Sequence, residues 1–273
     1  MVLIGEIIEL LDAKMETPIS YGWFHLLSLL FTILITIFVC VFCKHRTRRQ
    51  VIAMVFGTAV LALILEVYKQ INFTFQFDGE NITADFQWYA FPWQFCSMPM
   101  YVGLFAGIFR KGKVHDALCA FLATYSIFAG VCVMLYPVSV FVDTIGINIQ
   151  TMICHGSMIV IGVYLLYTGY VKMEHKTILK AIPVFVIAVL IAIIFNEIAY
   201  YSGLLETDTF NMFFISRHCE PSLPVYSLVQ QVVPYPWCLI IYVAAFSLAA
   251  YLMLLISMGI RKVVKDISSR KIK

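Results

Sequence analysis

Seven long apolar stretches constrain the fold of this chain more than any other feature. They cover residues 21–43, 51–70, 92–109, 117–136, 150–170, 181–200 and 237–258. Each is about 18–23 residues long, enough for an α-helix to cross a hydrocarbon core about 30 Å thick. Hydrophobic residues make up 62% of the chain and charged residues only 13%, unlike a soluble domain. The pattern predicts an all-α, polytopic integral membrane protein with seven transmembrane helices, in a plasma or other cell membrane.

The positive charges predict how these helices are oriented. All but three of the 19 lysines and arginines lie in four regions: residues 44–50, residues 110–116, residues 171–180 and the tail after residue 258. Cytoplasmic connections carry an excess of Lys and Arg, so we expect these four regions in the cytoplasm. The N-terminus then lies outside and the C-terminus lies in the cytoplasm. An odd number of crossings is required, and seven satisfies it.

The chain divides into one membrane domain and two short flanks. Residues 1–20 carry apolar residues at helical spacing with acidic residues between them. This pattern predicts either an amphipathic helix on the outer surface or a flexible N-terminal segment. Residues 21–258 form the membrane domain, and residues 259–273 form a basic cytoplasmic tail. The outer connections 71–91 and 201–236 are long, which is typical of lids or binding loops.

Ionisable residues are rare within the apolar stretches, and several gather towards the outer ends. Five of them, in five different stretches, are His25, Glu66, Cys96, His155 and Glu197. Each lies within about 5–10 Å of the same membrane face at 1.5 Å per residue. Such groups are costly to desolvate, so they normally face the bundle interior or a water-filled cavity. We therefore expect this ring to mark the functional site.

Cys96 lies near the start of the third stretch, within FPWQFCSMPMYVGLF. Pro92 suits the first helical turn, which would place Cys96 near unpaired backbone N–H groups and the positive end of the helix dipole. That position favours the nucleophilic thiolate, whereas apolar burial opposes it. Pro99 is expected to kink the helix just past the cysteine. The alternative interpretation of Cys96 is a small buried hydrophobic residue.

His155 lies at a matching depth in the fifth stretch. A thiol beside an imidazole is the arrangement of an activated nucleophile, so Cys96 and His155 are the predicted catalytic residues. The alternative for His155 is a structural hydrogen bond across helices. Glu66 also has two alternative roles. It can pair with Lys69, or it can orient His25 or His155 as the third member of a triad.

Three further polar residues are predicted to support the site. Gln94 can donate to a developing oxyanion, and Asn196 and Glu197 lie near the outer end of the sixth stretch. A structural hydrogen bond is the alternative role for each of them. No HExxH motif indicates a metal, and no metal or cofactor is predicted. Cys154 immediately precedes His155, but on a helix the two side chains point about 100° apart. We therefore expect only one of Cys154 and His155 to face the site.

Four short motifs follow one another in an informative order. They are a histidine in the first stretch (YGWFHLLSLL), P-x-x-x-C opening the third (PWQFC), a histidine in the fifth (ICHGSMIVIG), and an asparagine late in the sixth followed by NMFFIS. This order resembles the YwaF-type family of integral membrane proteins, which includes transmembrane protein 164. The resemblance implies a seven-helix fold shared with the androgen-induced-protein hydrolases. It also implies acyl transfer to a lysophospholipid, with Cys96 as nucleophile and His155 as base.

The chain departs from that family pattern beside the cysteine. The common form places a histidine two residues before the cysteine and an aspartate just after it, where this chain has Gln94 and Ser97. The departure changes the hydrogen-bonding groups around Cys96.

Two classes of function are consistent with these features. The first is a membrane-embedded acyltransferase or lipid acyl hydrolase that uses Cys96 and His155 in an outward-facing cavity. Its partner is a membrane phospholipid or lysophospholipid, and no nucleic-acid partner is expected. The alternative is a non-enzymatic transporter, channel or ligand-binding receptor. A retinal-binding receptor is excluded because residues 237–258 contain no lysine for a Schiff base. The sequence leaves the oligomeric state open.

Overall fold

The protein is almost entirely helical, as the sequence predicts. A computed structural model describes residues 2–203, 205, 209–220, 223 and 226–270. Its α-helices are α1 (Val2–Leu11), α2 (Trp23–Phe42), α3 (Arg48–Thr74), α4 (Met98–Ile108), α5 (Gly112–Leu122), α6 (Tyr125–Leu135), α7 (Ile145–Tyr167), α8 (Lys176–Ser202), α9 (Tyr226–Val232) and α10 (Tyr235–Arg270). The connection after α3 forms a small antiparallel hairpin of β1 (Phe75–Phe77) and β2 (Ile82–Ala84).

Among the described residues, six helical segments are long and apolar enough to cross a membrane. They are Trp23–Phe42, Arg48–Thr74, Gly112–Leu135, Ile145–Tyr167, Lys176–Ser202 and Tyr235–Ile267. These segments confirm a multi-pass integral membrane protein and coincide with six of the seven predicted stretches. The third predicted stretch, 92–109, is helical only over Phe95–Ile108. Gln94 stays extended (φ −87°, ψ 163°) because its side-chain amide is held by the backbone of residues 211–213.

The fourth predicted stretch is interrupted between α5 and α6. Thr124 leaves helical geometry (φ −132°, ψ −75°), and its hydroxyl donates to the carbonyl oxygen of Ala120 at 2.7 Å. Hydroxyl groups that bond to the preceding turn often bend helices. Next to this break, the carbonyl oxygen of Leu122 faces Gly162 of α7 so closely that a Cβ at Gly162 would lie 2.6 Å from it. The small residue therefore lets α7 approach the break.

Basic connections meet at one end of the bundle. The guanidinium of Arg48, at the start of α3, donates to the carbonyl oxygen of Arg110, which follows α4 (3.1 Å). The same guanidinium lies over the ring of Tyr170, which follows α7 (5.5 Å to the centroid). The Tyr170 hydroxyl hydrogen-bonds to Nε2 of His115, a buried residue of α5 (2.7 Å). The α2–α3, α4–α5 and α7–α8 connections therefore lie together.

The N-terminal segment docks at the opposite end of α3. The Tyr68 hydroxyl and the Asn72 amide both donate to the carbonyl oxygen of Leu11 (2.9 and 3.1 Å). Beyond α1, the ammonium of Lys14 pairs with the carboxylate of Asp143, just before α7 (3.3 Å). These contacts fix the end of α1 against α3 and against the segment that leads into α7.

Aromatic packing between α6, α8 and α10 positions the turn that carries Cys96. Phe185 of α8 stacks on Tyr125 of α6 and on Phe246 of α10, with ring centroids 4.7 and 5.7 Å apart. Phe95 packs edge-on against Phe246 at 5.1 Å. Edge-to-face and offset-stacked rings are the favoured arrangements of aromatic pairs. The side chain immediately before Cys96 is thus anchored in the aromatic core.

We expect Gly162→Ala to destabilise the fold, because its Cβ would lie 2.6 Å from the Leu122 carbonyl oxygen. Overpacking of this kind costs about 1–3 kcal/mol, which should lower the thermal unfolding midpoint of the purified protein in detergent. Gly57→Ala is the matched control, since a Cβ at Gly57 meets no atom within 4 Å. Equal midpoints for the two variants would contradict the close packing of α7 on the α5–α6 break.

Candidate functional site

A polar cavity of about 170 Å³ lies between α3, α4 and α7. Its wall includes six of the side chains that could take part in chemistry: Glu66, Lys69, Gln94, Cys96, Cys154 and His155. The structure therefore brings the predicted catalytic residues, Cys96 and His155, into one cavity. It also places Glu66 and Gln94 there, but not His25, Asn196 or Glu197.

Cys96 lies in a 3-10 turn, Phe95–Ser97, immediately before α4. The prediction that Pro92 opens the helix is wrong, since the helical backbone begins after Gln94. The predicted kink at Pro99 is also wrong, because Pro99 lies in the first turn of α4, where a proline removes no helical hydrogen bond. Cys96 still lies at the N-terminus of α4, so its thiol is near the positive end of the helix dipole.

His155 is held in one orientation with one ring nitrogen unused. Its Nδ1 lies 2.7 Å from the carbonyl oxygen of Thr151, one turn earlier in α7. A carbonyl only accepts, so Nδ1 carries the proton and Nε2 is the unprotonated acceptor. Within the described part of the chain, Nε2 is buried and has no hydrogen-bond partner. Buried polar atoms are normally satisfied, so this nitrogen is available to a ligand or to a proton donor.

Glu66 pairs with Lys69 and does not orient a histidine. Its carboxylate lies 2.8 Å from the Lys69 ammonium and accepts a hydrogen bond from the Gln70 side chain at 2.8 Å. The Gln70 amide also donates to the carbonyl oxygen of Ala90 at 2.8 Å. Of the two alternatives, the structure selects the pairing within α3. The pair contributes fixed charges to the edge of the cavity.

His25 is fully buried away from this cavity, and both of its ring nitrogens are used. Nδ1 accepts from the backbone N–H of Tyr21, and Nε2 donates to the carbonyl oxygen of Met134, each at 2.8 Å. The ring therefore ties the start of α2 to the end of α6. Neither nitrogen is free for the supporting role in the site that the sequence suggested.

Gln94 and Asn196 hold residues 210–216, a segment that forms no α-helix, inside the bundle. The Gln94 amide donates to the carbonyl oxygen of Asn211 (3.0 Å) and accepts from the N–H of Phe213 (2.9 Å). The Asn196 amide makes the equivalent pair of bonds with the backbone of Met212 (3.1 and 2.8 Å). Gln94 is therefore a structural clamp on this segment, not the free oxyanion donor predicted from the sequence.

Glu197 lies near the C-terminal end of α8 and does not line the cavity. Its carboxylate pairs with Arg217 at 2.8 Å and with His218 at 3.2 Å. The hydrogen bond from Arg217 to this carboxylate raises the pKa of the Arg217 guanidinium. The pair fastens the segment that follows residue 216 to α8, which is a structural role.

Sequence analysis missed several residues of α7 that line the cavity. Cys154 lies on the wall beside His155, so the expectation that only one of them faces the site is wrong. Gln150 donates to the Cys154 sulfur (3.6 Å), and Thr151 accepts from His155. Residues four apart lie on the same helix face. The spacing of Gln150 with Cys154 and of Thr151 with His155 therefore indicates two adjacent rows of polar side chains along α7. Within the described chain, no three metal-ligating side chains are grouped together.

The long apolar helices define a polytopic membrane protein, and a cysteine and a histidine line a cavity between three of its helices. The chain belongs to the TMEM164 family, whose sequence profile matches residues 20–255. This match confirms the resemblance to transmembrane protein 164 that the motifs predicted. No curated protein and no solved structure matches the chain significantly.

We expect Lys69→Met to destabilise the protein, because it leaves the buried carboxylate of Glu66 without its cation. Removing one partner of a buried ion pair costs about 3–5 kcal/mol. The double variant Glu66→Gln/Lys69→Met should recover most of that loss, as measured by thermal unfolding in detergent. Lys180→Met is the control, since the Lys180–Glu174 pair is longer (3.9 Å) and about half exposed, and such pairs contribute little. A midpoint equally low in the single and double variants would argue against a buried ion pair.

Proposed function

We propose that this protein is a membrane-embedded acyltransferase or lipid acyl hydrolase in which Cys96 is the nucleophile and His155 is the general base. The observation that carries the proposal is the shared cavity. A thiol at a helix N-terminus and an imidazole with a free, unprotonated Nε2 line the same 170 Å³ space. A nucleophile and a base in one enclosed site are the parts that acyl transfer through a cysteine requires.

The chemistry follows from the roles of the two side chains. His155 Nε2 takes the thiol proton of Cys96, and the sulfur attacks the ester carbonyl of a lipid. The new S–C bond forms, the ester C–O bond breaks, and the departing lipid oxygen takes the proton from His155. In the second half, the hydroxyl of an acceptor lipid or water gives its proton to His155, and its oxygen attacks the thioester carbonyl. A new C–O bond forms, the S–C bond breaks, and the thiolate takes the proton back from His155. The Thr151 carbonyl keeps Nδ1 protonated and stabilises the imidazolium throughout.

We place the entry of a lipid at the side of this cavity. An apolar groove of about 570 Å³ lies between α2, α3 and α7, and Thr58 and Ser157 line both the groove and the polar cavity. A phospholipid could therefore present its ester to the polar cavity while its apolar part stays among apolar side chains. The burial of apolar surface stabilises such binding. This access supports a lipid substrate over a water-soluble one.

The proposed topology is seven crossings with the N-terminus outside. The segment Phe95–Ile108 spans only about 21 Å as a helix, so the residues that precede it must supply the rest of a hydrocarbon core of about 30 Å. The contact of Arg48 with Arg110 supports α4 as a crossing, since it returns the chain to the basic end. That end lies in the cytoplasm by the positive-inside rule, and the cavity then opens towards the outer face.

We expect Cys96→Ala to reduce acyl exchange between phospholipid and lysophospholipid to background in vesicles containing purified protein. His155→Gln should lower the rate by about 10²–10⁴-fold, the usual contribution of a general base. Cys154→Ala is the matched control, because this thiol lines the same cavity, and it should retain activity. Full activity of Cys96→Ala would reject the acyl-transfer assignment. The cavity would then favour the alternative of a ligand-binding receptor, transporter or channel.

The topology predicts opposite outcomes for two reporter fusions. A green fluorescent protein fused after residue 273 should fluoresce, because it folds in the cytoplasm, and alkaline phosphatase at the same position should be inactive. A fusion after Arg110 should behave in the same way, since the α4–α5 connection lies at the same end. The same phosphatase activity for a fusion after residue 80, in the connection that precedes α4, as for the fusion after residue 110 would indicate that α4 does not cross the membrane.

A further inference from the structure

A second, larger cavity begins at the same cysteine. It has a volume of about 760 Å³ and lies beside α6, α9 and α10. Cys96 and Gln94 line this cavity as well as the polar one. The rest of its wall is mostly apolar and includes Phe128, Val131, Leu135, Ile241, Ala245 and Phe246. The turn at Phe95–Ser97 therefore separates a polar space, which holds the base, from an apolar space.

We propose that this apolar cavity holds the alkyl chain of an acyl group joined to Cys96 as a thioester. The inference rests on the proposed function and assigns a chain-binding subsite to it. The thioester forms when the sulfur displaces the lipid oxygen from the ester carbonyl, with His155 carrying the proton from thiol to leaving oxygen. The carbonyl then lies at the boundary between the two spaces, and the chain extends into the apolar one.

Two observations favour this cavity over the groove between α2, α3 and α7. A chain bonded to the sulfur must start at Cys96, and Cys96 lines the cavity beside α6 and α10 but not the groove. The cavity, at about 760 Å³, is also larger than the groove, at about 570 Å³, and its volume is within the range of about 300–1,000 Å³ that is typical of small-molecule sites. Leu135 and Ile241 on its wall are exposed to the surrounding hydrocarbon, so a chain can enter sideways.

Ala245 offers a way to block this cavity without disturbing the core. Ala245 lies on its wall, and its neighbour Ala244 does not. Both side chains are exposed on α10, so a tryptophan at either position should be tolerated by the fold. Ala245→Trp reduces the space available to the chain, and Ala244→Trp is the matched control. Thermal unfolding midpoints of the two variants check that both fold alike.

The test measures chain binding without requiring catalysis. Purified full-length protein in detergent is treated with N-ethylmaleimide or N-dodecylmaleimide, and the alkylation rate of each cysteine is read from its peptide by mass spectrometry. We expect the dodecyl-to-ethyl rate ratio to be at least about tenfold higher at Cys96 than at Cys154, the gain expected if only two CH₂ groups find apolar contacts. Cys154 lines the polar cavity but not the apolar one, so it corrects for uptake of the reagent into micelles.

Ala245→Trp should remove that advantage at Cys96 and leave the N-ethylmaleimide rate unchanged, whereas Ala244→Trp should change neither. Equal ratios at Cys96 and Cys154, or a ratio insensitive to Ala245→Trp, would overturn the proposal. A loss caused by Leu61→Trp instead would reject it in favour of the α2–α3–α7 groove, which Leu61 lines. If labelling behaves as expected but Cys96→Ala leaves acyl exchange intact, the apolar cavity binds an alkyl chain, but the proposed function fails and with it the thioester at Cys96. If Cys96→Ala abolishes exchange and labelling is indifferent to Ala245, the chain subsite alone fails.

Discussion

Residues 210–216 pass through the bundle without forming an α-helix, and side-chain amides satisfy their backbone polar groups. Gln94 bonds to Asn211 and Phe213, and Asn196 bonds to both backbone groups of Met212. An unsatisfied backbone group in an apolar interior costs several kcal/mol, so these bonds are a condition for the segment to lie where it does. They hold Phe213 at a φ of 59°, a conformation that is unfavourable for a bulky residue.

The same bonds determine where the candidate nucleophile lies. Gln94 cannot both bond to this segment and continue a helix, so the backbone turns only after it, and Cys96 occupies the 3-10 turn before α4. That turn lies between a polar cavity with His155 and an apolar cavity beside α6 and α10. The side-chain hydrogen bonds that satisfy the backbone of residues 210–216 therefore also place the Cys96 thiol at a boundary between polar and apolar surroundings.

Much of the candidate site was readable from the sequence, but the roles of its polar residues were not. Cys96 and His155 were paired by depth and by family resemblance, and they do share a cavity. Glu197 and His25 lie at a similar depth, yet they face Arg217 and the end of α6. Depth along a helix follows from counting residues, whereas the direction of a side chain depends on helix rotation, which apolar stretches without a polar face do not specify.

The sequence by itself determined that the protein is a polytopic helical membrane protein and where six of its long helices lie. It also showed that some connections between the helices are rich in lysine and arginine, whereas the others are not. These are local properties. The thickness of the hydrocarbon core sets the length of an apolar run, and the run must form a helix because its backbone N–H and C=O groups need hydrogen-bond partners there. Only the tertiary structure decided where α4 begins, which residue Glu66 pairs with, and which polar side chains contact one another. The reason is that the decisive partners are distant in the chain: Gln94 is fixed by Asn211, 117 residues away, and no local pattern encodes such a contact.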